Sequence, residues 1–452
     1  MSKKALCVVA VIGLLMVCAG AAHAYELLYG PTGLIRYDKE KAYDGYTLFA
    51  PSLSTTTYLI DMEGNVVHTW KNKYMPGLFA MLLPNGHLLR GARPDPDKAP
   101  VKFGGTSGLI QEIDWDGNVV WEYKEYTPTM IQHHCFNIMP NGNIIFVGWE
   151  YKSAAEAIKK GRDPKRMPAE FEWEDMKYTG LWPDYVKEVN REGKVVWEWH
   201  TWDHIGTGPK ELDINYQLPA ATGYMHVPDW THFNTVDYLP ETDQILVNSR
   251  NFGEFFLINH KTGEIEYRWG NPTTHGEGVK PGFVDDGSQI LFGNHHVTHL
   301  ANGHFQIFDN GWRRPEKTRS RIVEMDPKTG KIVWQFQPKI GSDFYTVYQG
   351  AAQRLPNNNI LVTSSNHGHV FEITYGDKPE VVWEWVNPVF GNKTKCFFDD
   401  DKDTLSAFEE IGANMIHRSY RYGKDYPGLA GKDLSKKEPL APTCGEIWKL
   451  AR

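Results

Sequence analysis

A pattern of alternating apolar and polar residues returns six times along the chain, each time interrupted by a turn that contains glycine. The unit has an aliphatic residue or Met, then a polar stretch with Gly, then a β-branched or aliphatic pair and an aromatic residue. Its copies are IDMEGNVVHTW (60–70), IDWDGNVVWEY (113–123), VNREGKVVWEW (189–199), INHKTGEIEYRW (258–269), MDPKTGKIVWQF (325–336) and ITYGDKPEVVWEW (373–385). Two strands joined through a Gly that adopts positive φ form a β-hairpin, so each copy predicts one hairpin.

A second turn lies between successive copies of this hairpin. It reads LLPNGHLL around Gly86, IMPNGN around Gly142, HLANGH around Gly303 and RLPNNNILV around Asn358. Two hairpins per period give four short strands, and four-stranded units repeated along a chain are typical of β-propeller blades. The six copies therefore predict an all-β fold, a six-bladed β-propeller with a central channel.

The repeat continues to about residue 390, so residues 25–452 are expected to form a single domain. Charged insertions interrupt it at 149–186, 200–229 and 386–412, with short helices expected at AAEAIKK and LSAFEE. Insertions of this kind usually lie on one face and shape a mouth. The segment YTLFAPSLSTTTYLI (46–60) is expected to join the last blade and close the ring.

The beginning of the chain has the pattern of a cleaved secretory signal. Lys3 and Lys4 precede the apolar run ALCVVAVIGLLMV, and Ala22-His23-Ala24 supplies the small residues of a cleavage site. This pattern predicts a signal peptide over residues 1–24 and a periplasmic location. No later stretch approaches the ~20 apolar residues of a membrane-spanning helix, so a membrane-spanning protein is not expected.

Composition and charge narrow the class of partner. The chain has 48 basic and 56 acidic residues and no basic run, so a nucleic-acid partner is not expected. Aromatic residues make up 13% of the chain and 16 of them are Trp, which suits packing between blades. Of the three cysteines after the leader, Cys396 and Cys444 are the favoured disulfide pair, which leaves Cys135 as a buried thiol.

Two histidines keep the same spacing from the second turn. His134 and His295 each lie eight residues before the turn glycine. In DWTHFNTVDYLP, Asn234 lies at the corresponding position, with His232 two residues earlier. Since alternate residues of a strand share a face, His232 and Asn234 are expected on the face that carries the other two histidines.

These side chains are expected to converge on the central channel. The strand that leads into the second turn is predicted to be the innermost of its blade, and three adjacent blades carry the polar set. Leu78 and Gly350 hold the equivalent position in two other blades. Arg250, in ILVNSRNFG, follows on the next strand and is expected to bring a positive charge to the same mouth.

The residues alone leave three interpretations of this cluster open. Three or four histidines on a propeller axis suit a metal such as iron or zinc. Arginine and asparagine suit an oxyanion, with histidines as nucleophile and proton donor. Alternatively, each histidine is a structural residue and the protein is a non-catalytic ligand-binding propeller. The matching register in several blades favours a site.

Four segments contain the predicted site residues in order along the chain, namely QHHCFNIMPNGN, DWTHFN, VNSRN and GNHHVTHLANGHFQIFDNG. They resemble, in the same order, the His-His-Asp…Leu-Pro-Asn-Gly-Asn, Asp-Trp-x-His-x-Asn, Ser-Arg and Gln-His…Phe-Asp-Asn-Gly motifs of the bacterial arylsulfate sulfotransferases, which do not use the nucleotide sulfate donor. VVWEWHTWDHI and RSYRYGKDYP also resemble the family, so the resemblance extends over about residues 30 to 427. It implies a six-bladed propeller, in agreement with the repeat.

The resemblance implies transfer of a sulfuryl group from an aryl sulfate ester to a phenolic acceptor, without a metal or other cofactor. By motif match His295 is the nucleophile and forms a sulfohistidine in a ping-pong mechanism. The residues that hold the sulfuryl oxygens or transfer protons would be His134, His232, Asn234 and Arg250. Either His134 or His232 is then the acid that protonates the leaving phenol. A metal-dependent hydrolase or lyase is the alternative enzyme class, and a homodimer is left open.

Three residues differ from the family's motifs. Asn294 stands where the family has glutamine before the nucleophile, and His296 stands where it has a small or acidic residue after it. Cys135 stands where the family has aspartate after His134. Each difference changes the hydrogen-bonding groups beside a predicted catalytic histidine.

Overall fold

In the computed structural model, six small antiparallel sheets are arranged as a six-bladed β-propeller, as the repeat predicts. The structure describes residues 32–94, 98–168, 170–173, 176–216, 228–275, 288–315, 319–337, 344–389, 414–435 and 438–440. The predicted signal peptide, the LSAFEE helix and the pair Cys396 and Cys444 lie outside the described residues.

From the axis outwards, each blade has four main strands. Blade one has Ile416–Gly423, Gly45–Pro51, Thr56–Ile60 and Asn65–Lys71, with Glu438–Pro439 at its edge, and blade two has Pro76–Leu82, Leu88–Ala92, Leu109–Ile113 and Val119–Lys124. Blade three has Met130–Ile138, Ile144–Glu150, Asp184–Val189 and Val195–His200, with Tyr126–Thr127 beside the first, and blade four has Phe233–Leu239, Gln244–Ser249, Glu254–Asn259 and Ile265–Trp269. Blade five has His295–His299, Phe305–Asp309, Arg321–Asp326 and Lys331–Phe336, and blade six has Ala351–Arg354, Ile360–Ser364, His369–Ile373 and Val381–Val386, with Gly33–Tyr37 at its edge.

The two predicted turns join the strands as expected. The glycine hairpin connects the third and fourth strands of each blade, and in blades two to six the second turn connects the first strand to the second. In blade six Asn358 takes the place of the turn glycine with φ +68°, a left-handed conformation that Asn tolerates better than most residues. The first strands of neighbouring blades contact one another in a closed ring, so they line the axis as predicted.

An indole hydrogen bond recurs at every interface between blades. A Trp on the fourth strand of each blade donates its Nε1–H to a backbone carbonyl at the hairpin turn of the next blade. The six pairs are Trp70 with Asp114 (3.0 Å), Trp121 with Arg191 (2.7 Å), Trp199 with Gly263 (2.9 Å), Trp269 with Gly330 (2.9 Å), Trp334 with Gly376 (2.9 Å) and Trp383 with Met62 (2.9 Å). Because a buried N–H without an acceptor costs about 1–3 kcal/mol, these bonds select one docking position for each blade.

Strands from both ends of the described chain close the ring. Gly33–Tyr37 pairs with Val381–Val386 at the outside of blade six, and Ile416–Gly423 pairs with Gly45–Pro51 at the inside of blade one. The prediction that residues 46–60 join the last blade is therefore wrong. Blade one takes its innermost strand from the C-terminal part of the chain, so the segment 46–60 supplies the second and third strands of blade one.

A buried ion pair links the two blades at this closure. Arg421 Nη1 of blade one donates to Glu372 Oε2 of blade six at 3.0 Å and to the carbonyl of Tyr43 at 2.9 Å, while its Nε donates to Thr47 Oγ1 at 2.7 Å. Neither charged side chain is exposed. Removing one member of a buried pair usually costs about 3–5 kcal/mol, so replacing either Arg421 or Glu372 would leave an uncompensated buried charge at the closure.

Long connections leave the strands at the end of the channel where each first strand begins, because the second and fourth strands run back to that end. The connection within the insertion predicted at 149–186 contains the α-helix Ala154–Lys159, the 3₁₀ helix Pro164–Arg166 and the hairpin of Phe171–Trp173 with Met176–Tyr178. The α-helix confirms the helix expected at AAEAIKK. Further 3₁₀ helices are Thr201–His204, Pro272–His275, Ser365–His367 and Pro427–Leu429. Within the ranges given above, no helix is long and apolar enough to cross a bilayer.

Candidate active site

The predicted site residues gather where the first strands of blades three, four and five begin. His134 lies in the first strand of blade three, and His295 opens that of blade five. In blade four, Asn234 lies in the first strand, His232 directly precedes it and Arg250 follows the second strand. All five are buried, and the ring centroids of His134 and His232 are 4.8 Å apart.

A β-bulge interrupts the pairing of each of these strands with the second strand of its blade. His134 and His232 have φ of +37° and +49°, and the pairing with the second strand changes register beside both. A bulge adds one residue to a strand and redirects the side chains around it. The alternation used to predict a common face therefore fails at Asn234, which is the additional residue in blade four.

The side chain of Asn234 joins an amide network beneath the histidines. Its Nδ2 donates to the carbonyl of Asn294 at 2.9 Å, and its Oδ1 accepts from Asn248 Nδ2 at 2.6 Å. Asn248 Nδ2 also donates to the Asn294 carbonyl at 2.9 Å, and Asn294 Nδ2 donates back to Asn248 Oδ1. Asn234 thus holds the peptide that directly precedes His295.

Hydrogen bonds fix the tautomer of His295. Its Nδ1 contacts the carbonyl of Gly293 at 3.0 Å and Asn310 Oδ1 at 2.7 Å, and because both partners are acceptors, Nδ1 carries the hydrogen. Asn310 is held in this orientation because its Nδ2 donates to the carbonyls of Thr346 and Gln349 at 2.9 and 2.8 Å. His295 Nε2 therefore has the lone pair, which accepts from the Gln349 N–H at 3.1 Å.

The surroundings keep His295 neutral. Burial lowers the pKa of its imidazole well below the usual value, and the positive charge of Arg250 lowers it further. The hydrogen bond to Asn310 acts in the opposite direction but does not compensate. At neutral pH the ring is therefore an unprotonated imidazole, which is the nucleophilic form.

His134 is connected to a carboxylate through a second histidine. His134 Nδ1 lies 2.8 Å from Nδ1 of His133, whose Nε2 lies 2.6 Å from Asp184 Oδ1. Trp149 stacks on the His133 ring with centroids 3.7 Å apart. Burial lowers the pKa of both histidines well below the usual value, and the neighbouring histidine rings add to the effect for His134. The three side chains form a proton chain that ends in the channel.

The chain of Asp184, His133 and His134 has two protonation states, which differ in whether Asp184 is ionised or protonated. Thr231 Oγ1 and the N–H of Phe233 donate to the Asp184 carboxylate, which favours its ionised form, while burial and Asp229 raise its pKa well above the usual value. With Asp184 ionised, His133 donates to it and His134 Nε2 carries a lone pair. With Asp184 protonated, both histidines change tautomer and His134 Nε2 becomes a donor.

His232 has a carboxylate partner of its own. Its Nδ1 hydrogen-bonds to Asp229 Oδ2, so Nε2 is the ring nitrogen available to contact a ligand in the channel. A carboxylate on the far nitrogen orients an imidazole and supplies negative charge opposite a protonated ring. The backbone carbonyl of His232 also accepts from the N–H of Arg250 at 3.0 Å, which fixes the separation of the two residues.

Arg250 brings a positive charge to this end of the channel. Its guanidinium lies over the ring of Trp312, 5.0 Å from the centroid, and Nη1 donates to Asn251 Oδ1 at 3.0 Å. Burial lowers its pKa to about 10, with Asp229 opposing that shift, so the side chain is still charged at neutral pH. Aromatic stacking and side-chain hydrogen bonds hold a buried guanidinium in one orientation.

A loop of blade two covers His134. The carbonyl of Gly105 accepts from the His134 N–H at 2.9 Å, and Gly105 has φ +103°. A Cβ at this position would lie 1.8 Å from Cε1 of the His134 ring. Only glycine allows the loop to approach the histidine this closely.

Sequence reasoning missed several residues of this cluster. Asp184 lies inside a segment predicted to be an insertion, so the repeat gave no reason to select it. Asp229 precedes His232 by three residues in the DWTHFN segment, and this short spacing could have identified Asp229 as the partner of His232. His133 was visible as the first residue of a His-His pair. His417, at the start of the first strand of blade one, has its ring 5.7 Å from that of His134, but its blade lacks the turn from which the other histidines were counted.

The three departures from the family's motifs all lie next to the channel. Asn294 belongs to the amide network. His296 accepts from the Ala352 N–H at 3.1 Å through Nδ1, so its Nε2–H donates to Tyr420 Oη at 3.0 Å. Cys135 is a buried free thiol, as predicted, and donates to the carbonyl of Asn234. The structure therefore gives each substituted side chain a hydrogen bond.

The metal interpretation finds no support in the donor geometry. Across the parts of the chain that the structure describes, no three His, Cys, Asp or Glu side chains converge as metal ligands do.

Residues 170–390 match the arylsulfotransferase (ASST) family. Among solved structures, a protein of unknown function from Bacteroides caccae is similar over 76% of this chain and 94% of its own, with 12% identity and a TM-score of 0.46. A streptogramin B lyase matches 79% of this chain and 82% of its own, and a virginiamycin B lyase from Staphylococcus aureus matches 78% and 85%, both with 12% identity and a TM-score of 0.39. No curated protein matches the chain by sequence.

The buried neutral histidines predict how stability depends on pH. Burial lowers the pKa of five of them, namely His133, His134, His295, His296 and His417. In the unfolded chain each titrates near pH 6.5, so their contribution is complete above that pH and is lost as pH falls below it, by about 1.4 kcal/mol per pH unit for each residue.

Urea unfolding measured between pH 7 and pH 5 should therefore show a free energy of unfolding that falls with pH. Replacing His296 with Gln should reduce the average slope over this range by about 1 kcal/mol per pH unit, approaching about 1.4 towards pH 5. The control is His299→Gln, on the same strand but exposed, which should leave the slope unchanged. Equal slopes for the two variants would contradict a neutral His296 in the folded protein.

Proposed function

Because residues 170–390 match the arylsulfotransferase family, we propose that the protein transfers a sulfuryl group from an aryl sulfate ester to a phenol through a sulfated histidine. The family supports an aryl sulfotransferase activity in general, and the mechanism is inferred from the site. The observation that carries it is the state of His295, a neutral imidazole whose tautomer is locked by Asn310 and Gly293 beside the buried cation Arg250.

His295 has the properties of the nucleophile. A hydrogen on Nδ1 leaves the Nε2 lone pair to attack sulfur, and the carbonyl acceptors at Nδ1 stabilise the positive charge that develops on the ring. The Gln349 N–H now contacts this lone pair at 3.1 Å, so that bond gives way as the N–S bond forms. Asn234 contributes as a positioning residue because its amide holds the peptide before His295.

The sulfuryl group of an aryl sulfate carries one negative charge. Arg250 supplies a permanent positive charge, and its contacts with Trp312 and Asn251 fix the direction of its donors. His134 adds a donor when the proton of its chain lies on Asp184. A loose transition state spreads charge over the sulfuryl oxygens, so donors that are already oriented stabilise it without reorganisation.

The geometry favours His232 over His134 as the general acid. Asp229 bonds directly to Nδ1 of His232 and faces any proton held by that ring. His134 instead contacts another imidazole at Nδ1, and burial lowers its pKa well below the usual value. A protonated His232 can therefore donate from Nε2 to the oxygen of the departing phenol.

The reaction then has two balanced steps. In the first, Nε2 of His295 attacks sulfur, the bond from sulfur to the aryl oxygen breaks, and that oxygen takes the proton of His232. In the second, the hydroxyl of an acceptor phenol gives its proton to His232 as its oxygen attacks sulfur, and the N–S bond breaks. Both histidines return to their starting states, and no nucleotide, metal or other cofactor takes part. The predicted signal peptide would place this reaction in the periplasm.

Replacing His295 with Ala should abolish transfer, with a loss on the order of 10³-fold or more, since this removes the atom that carries the sulfuryl group. The assay is release of 4-nitrophenol from 4-nitrophenyl sulfate with phenol as acceptor and a chelator present. His299→Ala, an exposed histidine on the same strand, should keep full activity. A protein that releases no 4-nitrophenol even unmodified would be left with the binding-propeller interpretation, and activity abolished by the chelator would favour a metal-dependent enzyme.

Replacing His232 with Ala should cost about 10²–10⁴-fold with phenyl sulfate and far less with 4-nitrophenyl sulfate, because a stable leaving phenolate needs no proton. Replacing His134 with Ala should lower the activity by the same factor with both donors, because both donors carry the sulfuryl group that His134 contacts. The measurement is kcat/KM over a series of aryl sulfates of increasing phenol pKa. Equal sensitivity of the two variants to the leaving group would contradict these separate roles.

A further inference from the structure

His417 is the one histidine of the channel whose ring has no hydrogen-bond partner among the residues that the structure describes. Its side chain is not exposed to solvent, and both Nδ1 and Nε2 are without a partner. The other channel histidines, namely His133, His134, His232, His295 and His296, each bind at least one protein group through a ring nitrogen. A buried polar group left unpaired costs about 1–3 kcal/mol, so this exception calls for an explanation.

The position of His417 connects it with the proposed site. It lies at the start of the first strand of blade one, at the same end of the channel as the other histidines. Its ring is 5.7 Å from that of His134, and it lies close enough to His295 and His232 that a proton on either of them would lower its pKa. Burial, followed by Arg418 and these histidines, lowers its pKa, so it is a neutral imidazole with one N–H donor.

Arg418, the residue after His417, adds a positive charge beside it. Arg418 is buried, donates to the carbonyl of Asn234, interacts with Tyr420 and lies 5.3 Å from the centre of the Phe79 ring. Among the described residues no carboxylate forms an ion pair with it. Arg250 and Arg418 thus place two guanidinium groups around the histidines, and an environment of this kind attracts an anion.

We propose that His417 is a binding residue for the sulfuryl group and donates its N–H to a non-bridging oxygen. The ligand is a tetrahedral oxyanion, a sulfate monoester or inorganic sulfate. This assignment rests on the proposed function for the identity of the ligand but not on the transfer step. Sulfuryl oxygens only accept hydrogen bonds, so a neutral imidazole with a free donor is matched to them, and the bound anion satisfies the nitrogen that the described residues leave unpaired.

The test measures binding without turnover. In protein carrying His295→Ala, binding of 4-nitrophenyl sulfate and of inorganic sulfate is measured by calorimetry, with and without His417→Ala. Loss of a hydrogen bond to a charged ligand should weaken binding by on the order of 10–100-fold. His417→Asn or His417→Gln, which place an N–H near Nδ1 or Nε2, should recover part of that loss, and His299→Ala should change nothing. Binding by the His417→Ala protein within twofold of its parent would overturn the inference.

A second measurement does not depend on how the variants fold. In the unmodified protein, the ring nitrogen resonances of His417 should shift on saturation with inorganic sulfate, and unchanged resonances would overturn the inference. The outcomes also separate this inference from the proposed function. Binding that depends on His417 in a protein without transfer activity would leave the oxyanion site standing and remove the sulfotransferase. Transfer activity with binding independent of His417 would do the reverse.

Discussion

The structure depends on the indole hydrogen bond that joins each blade to the next. Six tryptophans, one per blade, donate to carbonyls at the neighbouring hairpin turns, so each interface has a polar anchor within an apolar contact. The last of these, from Trp383 to the carbonyl of Met62, closes the ring together with the pair of Arg421 and Glu372. Because the blades cannot shift relative to one another without losing these bonds, the six innermost strands hold fixed positions around the axis.

That rigidity lets the axis carry groups that a looser fold would expose to water. Histidines from four blades meet there, and burial keeps most of them neutral, while Arg250 and Arg418 remain charged. The carboxylates Asp184 and Asp229 lie behind histidines, not in front of them. An anion that enters the channel therefore meets donors and cations first, and the proposed transfer relies on positioning and electrostatic stabilisation.

The repeating parts of this arrangement could be predicted from the sequence, and the irregular parts could not. The Gly hairpins and the second turn gave the blade count, the innermost strand and the register of His134 and His295, because each depends on local turn chemistry. Asn234 was assigned to the same face as His232 on regular alternation, which a bulge interrupts. Asp184 and His417 come from segments without the repeat, and only tertiary packing brings them to the channel. The N-terminal strands were assigned to the wrong blade because pairing across the closure is not encoded by either strand alone.

The most direct test is to trap the intermediate. The purified protein is mixed with 4-nitrophenyl sulfate in the presence of a chelator and without any nucleotide. Its intact mass and peptide map are then measured at alkaline pH, because acid hydrolyses the N–S bond of a sulfonated imidazole. We expect one added sulfuryl group on the peptide that contains His295, attached to Nε2 and removed when phenol is supplied. Release of 4-nitrophenol without an adduct under single-turnover conditions, or an adduct on another residue, would contradict a sulfohistidine at His295.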